Sequence, residues 1–307
     1  MTFPSICVII PTFRRPEGLD LAMGSIAAQY DVEADITLVV SDNSPDAGAC
    51  YQVMNFAKTA PFEVLYIHEP KTGVASARNA GLAAKESDFI AFLDDDEVAP
   101  REWLRRLLAT QALLDADVIF GPVRARLPEG QFTYADYLTD FFSRFGPDET
   151  GLIPYYYGCG NSFIRRSVLI GGQVFDTSRN NSGGEDDMLF STLLAKGVKL
   201  GWDADAFVFE DVPLKRANLN YALKRAFAYG QGPSVTAAMS KQPLHCLGWM
   251  IQGLVQSVIF GAGGLLAYVT RSQKAASYWD KAARGLGKLL WFPPFKTEFY
   301  GTVLLEQ

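Results

Sequence analysis

Phe89-Ile-Ala-Phe-Leu-Asp94-Asp95-Asp96-Glu97 is the stretch on which the fold turns: five apolar residues run without interruption into four carboxylates. A strand with no polar alternation is buried on both faces, which belongs to a mostly parallel sheet with helices on each side. Ligands of such sheets bind beyond the carboxyl ends of the strands, where this strand delivers its charges. Carboxylates crowded at one point repel one another and ask for a counter-cation. A hard divalent ion, Mg²⁺ or Mn²⁺, takes oxygen ligands of this kind. An acidic turn opening the next helix accounts for the same residues without a metal, and the stretch alone leaves both readings open.

Outward from 89–93, four more short β-rich runs occupy 6–10, 36–40, 62–67 and 118–120, and the five starts lie 30, 26, 27 and 29 residues apart. Helix-compatible stretches at roughly 16–30, 46–59, 74–86 and 100–115 separate them, several entered through Pro or Ser/Asp. The alternation predicts an α/β fold with a mostly parallel central sheet. Polar residues collect after the strands, in Pro11-Thr-Phe-Arg-Arg15, Ser41-Asp-Asn-Ser44, His68-Glu-Pro-Lys-Thr-Gly73 and the acidic run at 94–97. One rim should therefore carry them all.

Three further motifs fall in line with that rim. Ser182-Gly-Gly-Glu185-Asp186-Asp187 leads into a helix whose Leu189, Leu193 and Leu194 face the core. A carboxylate there can act as a base, or can simply decorate a helix N-terminus. Gly73-Val-Ala-Ser-Ala-Arg78-Asn79-Ala-Gly81 enters a helix with an arginine one turn in, able to pair with a diphosphate or with carboxylates, or to sit on the surface. Gly158-Cys-Gly160-Asn161-Ser162 is a glycine-bounded turn before a strand, where backbone can approach a ligand or form a bulge.

The 307 residues, 49% hydrophobic and 20% charged, allow one large domain or a domain of some two hundred residues with an appendage, and exclude disorder and fibrous designs. Cys7, Cys50, Cys159 and Cys246 lack the close spacing of a zinc ribbon or redox motif, so a reducing, intracellular setting is the simpler expectation. Two histidines, His68 and His245, rule out imidazole-rich metal sites and leave the chemistry to carboxylates. Residues 1–217 carry 19 Lys+Arg against 31 Asp+Glu, net −12, whereas residues 218–307 carry 9 against 3, net +6. An acidic body argues against nucleic acid as partner. No export signal is expected, since the run at 6–10 is short, lacks a preceding basic region and ends at Pro11. Pro11-Thr-Phe-Arg-Arg15 supplies neither the glycines of a dinucleotide fingerprint nor a phosphate-binding loop.

The order of these motifs over about residues 4–216 resembles the family 2 glycosyltransferases, inverting nucleotide-sugar enzymes with a GT-A fold, and especially their exopolysaccharide-assembly branch of succinoglycan type. The resemblance implies that Pro11, Thr12 and Arg14 border the nucleotide and that Asp42 accepts from a uracil N–H of a UDP-sugar. It sets Arg78 by the diphosphate, Asp94 and Asp96 at the outer positions of a metal-binding Asp-x-Asp motif with Asp96 the direct ligand, and Asp95 in support. Asp186, with Glu185 before it, matches the catalytic base. A late histidine that some relatives supply to the metal is missing here, where the strand end reads Phe207-Val-Phe209-Glu210-Asp211, so that ligand stays open between Glu210 and water. The Gln-x-x-Arg-Trp motif of processive synthases is absent too, which favours addition of a single sugar. The implied acceptor is a glycan or lipid-linked oligosaccharide at the cytoplasmic face of the inner membrane. A nucleotidyltransferase, or a non-catalytic membrane scaffold with a relic fold, is the alternative.

These boundaries give a GT-A domain over 1–217 and a helical, basic, membrane-associated region over 218–307. From 242 to 270 no charged side chain occurs apart from His245, and 246–269 is long enough to span a bilayer. Gln252, Gln256, Ser257 and the glycines 261, 263 and 264 keep a re-entrant, interfacial or buried soluble helix in contention. Over 274–290, Lys274, Lys281, Arg284 and Lys288 fall on one arc and Tyr278, Trp279, Ala282, Leu286, Leu289 and Leu290 roughly opposite. That pattern predicts a basic amphipathic helix lying on anionic lipid, with a helix packed on the catalytic domain and its lysines solvated as the alternative.

Overall fold

The computed structural model describes residues 3–169, 174–180 and 183–295. Ser182 of the acidic motif and residues 296–307 of the C-terminal region lie outside them. The elements are β1 (Ser5–Thr12), α1 (Pro16–Ala27), β2 (Asp35–Asp42), α2 (Cys50–Phe56), β3 (Glu63–His68), α3 (Val74–Ala84), β4 (Phe89–Phe92), β5 (Glu97–Val98), α4 (Trp103–Leu114), β6 (Val118–Phe120), β7 (Val123–Arg126), α5 (Ala135–Phe142), β8 (Gly151–Leu152), β9 (Ser162–Arg165), α6 (Glu185–Ala195), β10 (Leu200–Trp202), β11 (Val208–Asp211), α7 (Leu219–Met239), α8 (Pro243–Val269) and α9 (Ala275–Leu289).

The large sheet runs β3-β2-β1-β4-β9-β6-β10-β8, and a small one β5-β11-β7. In the large sheet β1 pairs in parallel with β2 and β4, β2 with β3, and β6 with β10, while β9 is antiparallel between β4 and β6. Alternate residues of β1 enter separate cores: Ile6, Val8 and Ile10 pack with Leu19, Met23 and Trp103, while Cys7 and Ile9 pack with Leu82, Phe92 and Phe190. This is why the strand carries no polar alternation.

The register levels the rim. Thr12 lies opposite Asp42, the Asn43 N–H donates to the Thr12 carbonyl, and the Glu69 N–H donates to the Asp42 carbonyl. Because β9 is antiparallel, its first residue, Ser162, faces Phe92 at the end of β4. The glycine-bounded turn before β9 thereby reaches the same rim as the acidic run after β4.

Two compact units divide the chain, one of residues 3–124 with 143–211, the other of residues 125–142 with 212–295 among those described. The second unit thus claims a segment that the 1–217 boundary gave to the first. Contacts of α5 explain it: Phe142 stacks on Tyr221 of α7 at 6.1 Å, and the Tyr137 hydroxyl donates to Asp280 of α9 at 3.1 Å.

Within this helical unit α9 packs against both α7 and α8. A Cβ on Gly287 would stand 2.0 Å from the Phe227 carbonyl oxygen of α7, and one on Gly253 of α8 2.5 Å from the Gly285 carbonyl oxygen, so α9 is in backbone contact with both neighbours. Its aromatic residues turn the same way, with Tyr278 stacked on Phe260 at 6.1 Å and Trp279 filling the space above Gly264. Three of the four cations of the arc are engaged internally. Arg284 Nε binds Asp280 at 2.8 Å, Lys288 Nζ donates to Gln256 at 2.7 Å, and Lys281 Nζ stands 5.1 Å from the centre of the Phe260 ring. Helical periodicity located the two faces but could not tell a helix neighbour from lipid. The apolar surface left uncovered belongs to α8, where Leu244, Val258, Leu266 and Val269 are 83%, 63%, 68% and 72% exposed. Gln256 and Ser257, which spoke against hydrocarbon, turn toward α9 and donate to the carbonyls of Lys281 and Ala282.

Candidate active site

The turn after β4 gathers the charge. Asp95 is 6% exposed and accepts from Thr12 Oγ1 at 2.8 Å, from the Phe13 N–H at 3.3 Å and from Arg15 Nη1 at 2.9 Å. The same Arg15 nitrogen also donates to Asp96. Glu97, buried at the start of β5, accepts the Asp94 N–H at 2.9 Å, which folds the acidic run back on itself. Burial raises the carboxyls of Asp94, Asp95 and Glu97, Asp95 to about 6, while Arg78 opposes the rise at Asp94 and Arg15 at Asp95.

Arg78 links this turn to α6. Its Nη1 donates to Glu185 at 2.6 Å and its Nη2 to Asp94 at 3.3 Å, with the guanidinium 5.6 Å from the centre of the Phe175 ring. The α6 N-terminus is set by Gly183 and Gly184, whose φ of 71° and 81° is disfavoured for other residues. Glu185, Asp186 and Asp187 then occupy the first turn, where a helix N-terminus favours negative charge. Asp186 is half-buried, and its Oδ2 accepts the Cys159 N–H at 3.2 Å. Gly160 closes the circuit, because a Cβ there would stand 2.7 Å from Asp94 Oδ2 and 2.9 Å from Glu97 Oε1.

Thr12, Arg78, Asp94, Asp95, Asp96, Glu185 and Asp186 thus meet across one rim, with Pro11 buried in β1 behind Thr12. Arg14 does not join them. It points outward, 3.8 Å from Asp46, and its neighbour Arg15 takes the inward position. Asp42 is fully buried and accepts from the Ser44 N–H, the Ser44 hydroxyl, the Ala49 N–H and the Tyr66 hydroxyl. Both of its oxygens shape the loop after β2. Glu210 sits opposite Glu97 across the β5–β11 pair, beside the acidic turn.

Sequence reasoning missed Arg15 and Arg144, and it singled out Asn161 only as part of a turn. Asn161 is fully buried at φ 51°, accepts from Trp103 Nε1 at 2.8 Å and donates to the carbonyls of Pro122 and Ala206. Arg15 stood within a motif already singled out, whereas Arg144 lies in a stretch with no motif around it.

Among the described residues no group of three or more His, Cys, Asp and Glu is arranged to ligate a metal ion. The donor chemistry nevertheless fits a hard divalent cation. Asp94, Asp95, Asp96, Glu97, Glu185 and Asp186 face Arg15, Arg78 and Arg144, so carboxylates outnumber guanidiniums two to one around the turn. Asp94 pairs with Arg78, and Asp96 pairs with Arg15, the guanidinium it shares with Asp95.

The family described as "Glycosyl transferase family 2" matches residues 7–171. The succinoglycan biosynthesis protein ExoM of Rhizobium meliloti (strain 1021) is 34% identical over 222 residues, which are 72% of this chain and 71% of that protein. Among solved structures, S. aureus TarS 1–349 aligns with a TM-score of 0.52 over 91% of both chains at 15% identity, a likeness of fold. The same fragment in complex with UDP-GlcNAc aligns with a TM-score of 0.50, 17% identity, 68% of this chain and 59% of that one.

Proposed function

The chain belongs to glycosyl transferase family 2, and from that premise we propose that it transfers one sugar from a UDP-sugar to a hydroxyl of a glycan or lipid-linked acceptor in extracellular polysaccharide synthesis. The relative ExoM is named for succinoglycan biosynthesis, and the TarS complex contains UDP-GlcNAc. The observation that carries the reading is Arg78, one buried guanidinium holding both Asp94 of the acidic turn and Glu185 beside Asp186. It ties a donor side and an acceptor side to one rigid rim.

Asp94 and Asp96 would hold Mg²⁺ or Mn²⁺, which when bound neutralises charge developing on the departing nucleoside diphosphate. Thr12 and Pro11 border the nucleotide, while Asp42 serves the base through the loop it folds. Arg15 and Arg78 keep the acidic turn compact as charge shifts toward it. Asp186 takes the proton from the acceptor hydroxyl, whose oxygen attacks the anomeric carbon from the face opposite the leaving diphosphate. The Cys159 N–H fixes the carboxylate for that task, and a single displacement inverts the anomeric centre.

For location, we propose the cytoplasmic face of an anionic inner membrane, with α8 as the anchor. It is 27 residues long, with 17% of its candidate spanning window buried, and exposed Lys241 and Arg271 flank it. A core helix of a soluble protein would be mostly buried. Cations at both ends of an uncharged helix suit headgroups on either side of an apolar layer.

The test is a panel of nucleotide-sugars with membrane lipid extract as acceptor, with and without EDTA. Release of free nucleoside diphosphate and an inverted linkage in the product support the proposal. Release of pyrophosphate, or no metal-dependent transfer with any donor, would overturn it.

A further inference from the structure

Arg144 follows no motif, yet its guanidinium makes five hydrogen bonds to main-chain carbonyls. Nε donates to Gly121 at 3.2 Å and Nη1 to Gly158 at 3.0 Å, while Nη2 donates to Gly121, Gly160 and Asn161 at 3.0, 2.5 and 3.2 Å. Its own backbone is pinned by two hydrogen bonds to Val123, at 2.8 and 3.0 Å. Three of the four carbonyls belong to the turn 158–161. That turn is the strut of the site, since Cys159 N–H holds Asp186 and Gly160 abuts Asp94 and Glu97.

We infer that Arg144 is a positioning residue for sugar transfer, clamping the turn 158–161 so that Asp186 is held at a fixed distance from the acidic turn where the donor diphosphate is bound. The inference rests on the reading of Asp186 as the base. Only a planar fork can serve carbonyls that converge in this way, because an ammonium offers three donors on one atom. With the clamp loosened, the Cys159 N–H drifts and Asp186 loses its aim, although the nucleotide contacts at Thr12 and Arg78 lie on other elements. The effect should therefore fall on turnover and spare donor binding.

The experiment is a double-mutant cycle on the full chain, with nucleoside diphosphate affinity measured by calorimetry alongside. Arg144→Lys should lower kcat about 100-fold, as a misplacement of roughly 1 Å does, with nucleotide affinity changed less than about 3-fold. In an Asp186→Asn background the same substitution should cost under about 2-fold, because its effect passes through Asp186. Gly158→Ala gives a second route should Arg144→Lys fold poorly: its Cβ would sit 3.2 Å from Asp186 Oδ2 and should produce the same pattern. Losses that add in full on a crippled Asp186→Asn enzyme, or nucleotide affinity that falls in step with kcat, overturn the role of Arg144 alone. Normal turnover by Asp186→Asn overturns the base reading, and the positioning role with it.

Discussion

Replacing Arg78 by Met removes a guanidinium that is 6% exposed and pairs at 2.6 Å with Glu185, itself 6% exposed. Breaking a buried pair from one side leaves an uncompensated charge, at a cost of about 3–5 kcal/mol. The Asp94 contact adds little, being longer at 3.3 Å and with a side chain 35% exposed to screening solvent. With a urea slope of about 2 kcal/mol per molar, the midpoint followed by tryptophan fluorescence should drop by about 2 M. The deficit should also depend on pH. Burial already holds the Glu185 carboxyl above its ordinary 4.5, and loss of Arg78 raises it further. A raised carboxyl binds its proton more tightly folded than unfolded, so stability falls as pH rises through the folded value and is regained below 4.5. The gap between variant and wild type should be full at pH 7 and shrink toward pH 4.5. A deficit under about 1 kcal/mol at pH 7, or one unchanged at the lower pH, would refute the buried-pair account.

Three other outcomes follow from the same geometry. Asp96→Asn keeps shape but removes a charge, so Mn²⁺ should no longer strengthen nucleotide-sugar binding in calorimetry; metal-responsive binding in the variant would count against Asp96 as ligand. Gly160→Ala drives a Cβ to 2.7 Å from Asp94 Oδ2 and should cost about 1–3 kcal/mol in urea unfolding, whereas a neutral effect would mean that the turn and the carboxylates are not in contact. Val255→Asp with Val258→Asp alters side chains 51% and 63% exposed on α8. In vesicle flotation this pair should abolish binding while leaving the melting temperature unchanged, and undiminished flotation would remove α8 from membrane contact.

Much of the site was legible because strand ends are legible. Apolar runs, broken only by Thr37 in β2, located β1, β2 and β4 to within a few residues, and the polar tail of each run is on the rim of a parallel sheet. Arg14 and Arg15 show where this stops. Both follow β1, but Arg14 has φ 52°, and the turn it makes decides which of two adjacent arginines faces inward. Arg144 was hidden for another reason: its partners are carbonyls, which every residue has, so no side-chain pattern announces it. In the helical unit, periodicity found the faces of α9, while the close packing of Gly285 and Gly287 against neighbouring backbones decided what covers them.

The most direct test of the account is turnover and nucleotide affinity measured together in Asp186→Asn. The account predicts that kcat for nucleoside diphosphate release falls about 10²–10⁴-fold, the range of a lost general base, while nucleotide-sugar affinity stays within about 3-fold. Near-normal release by the variant would contradict it.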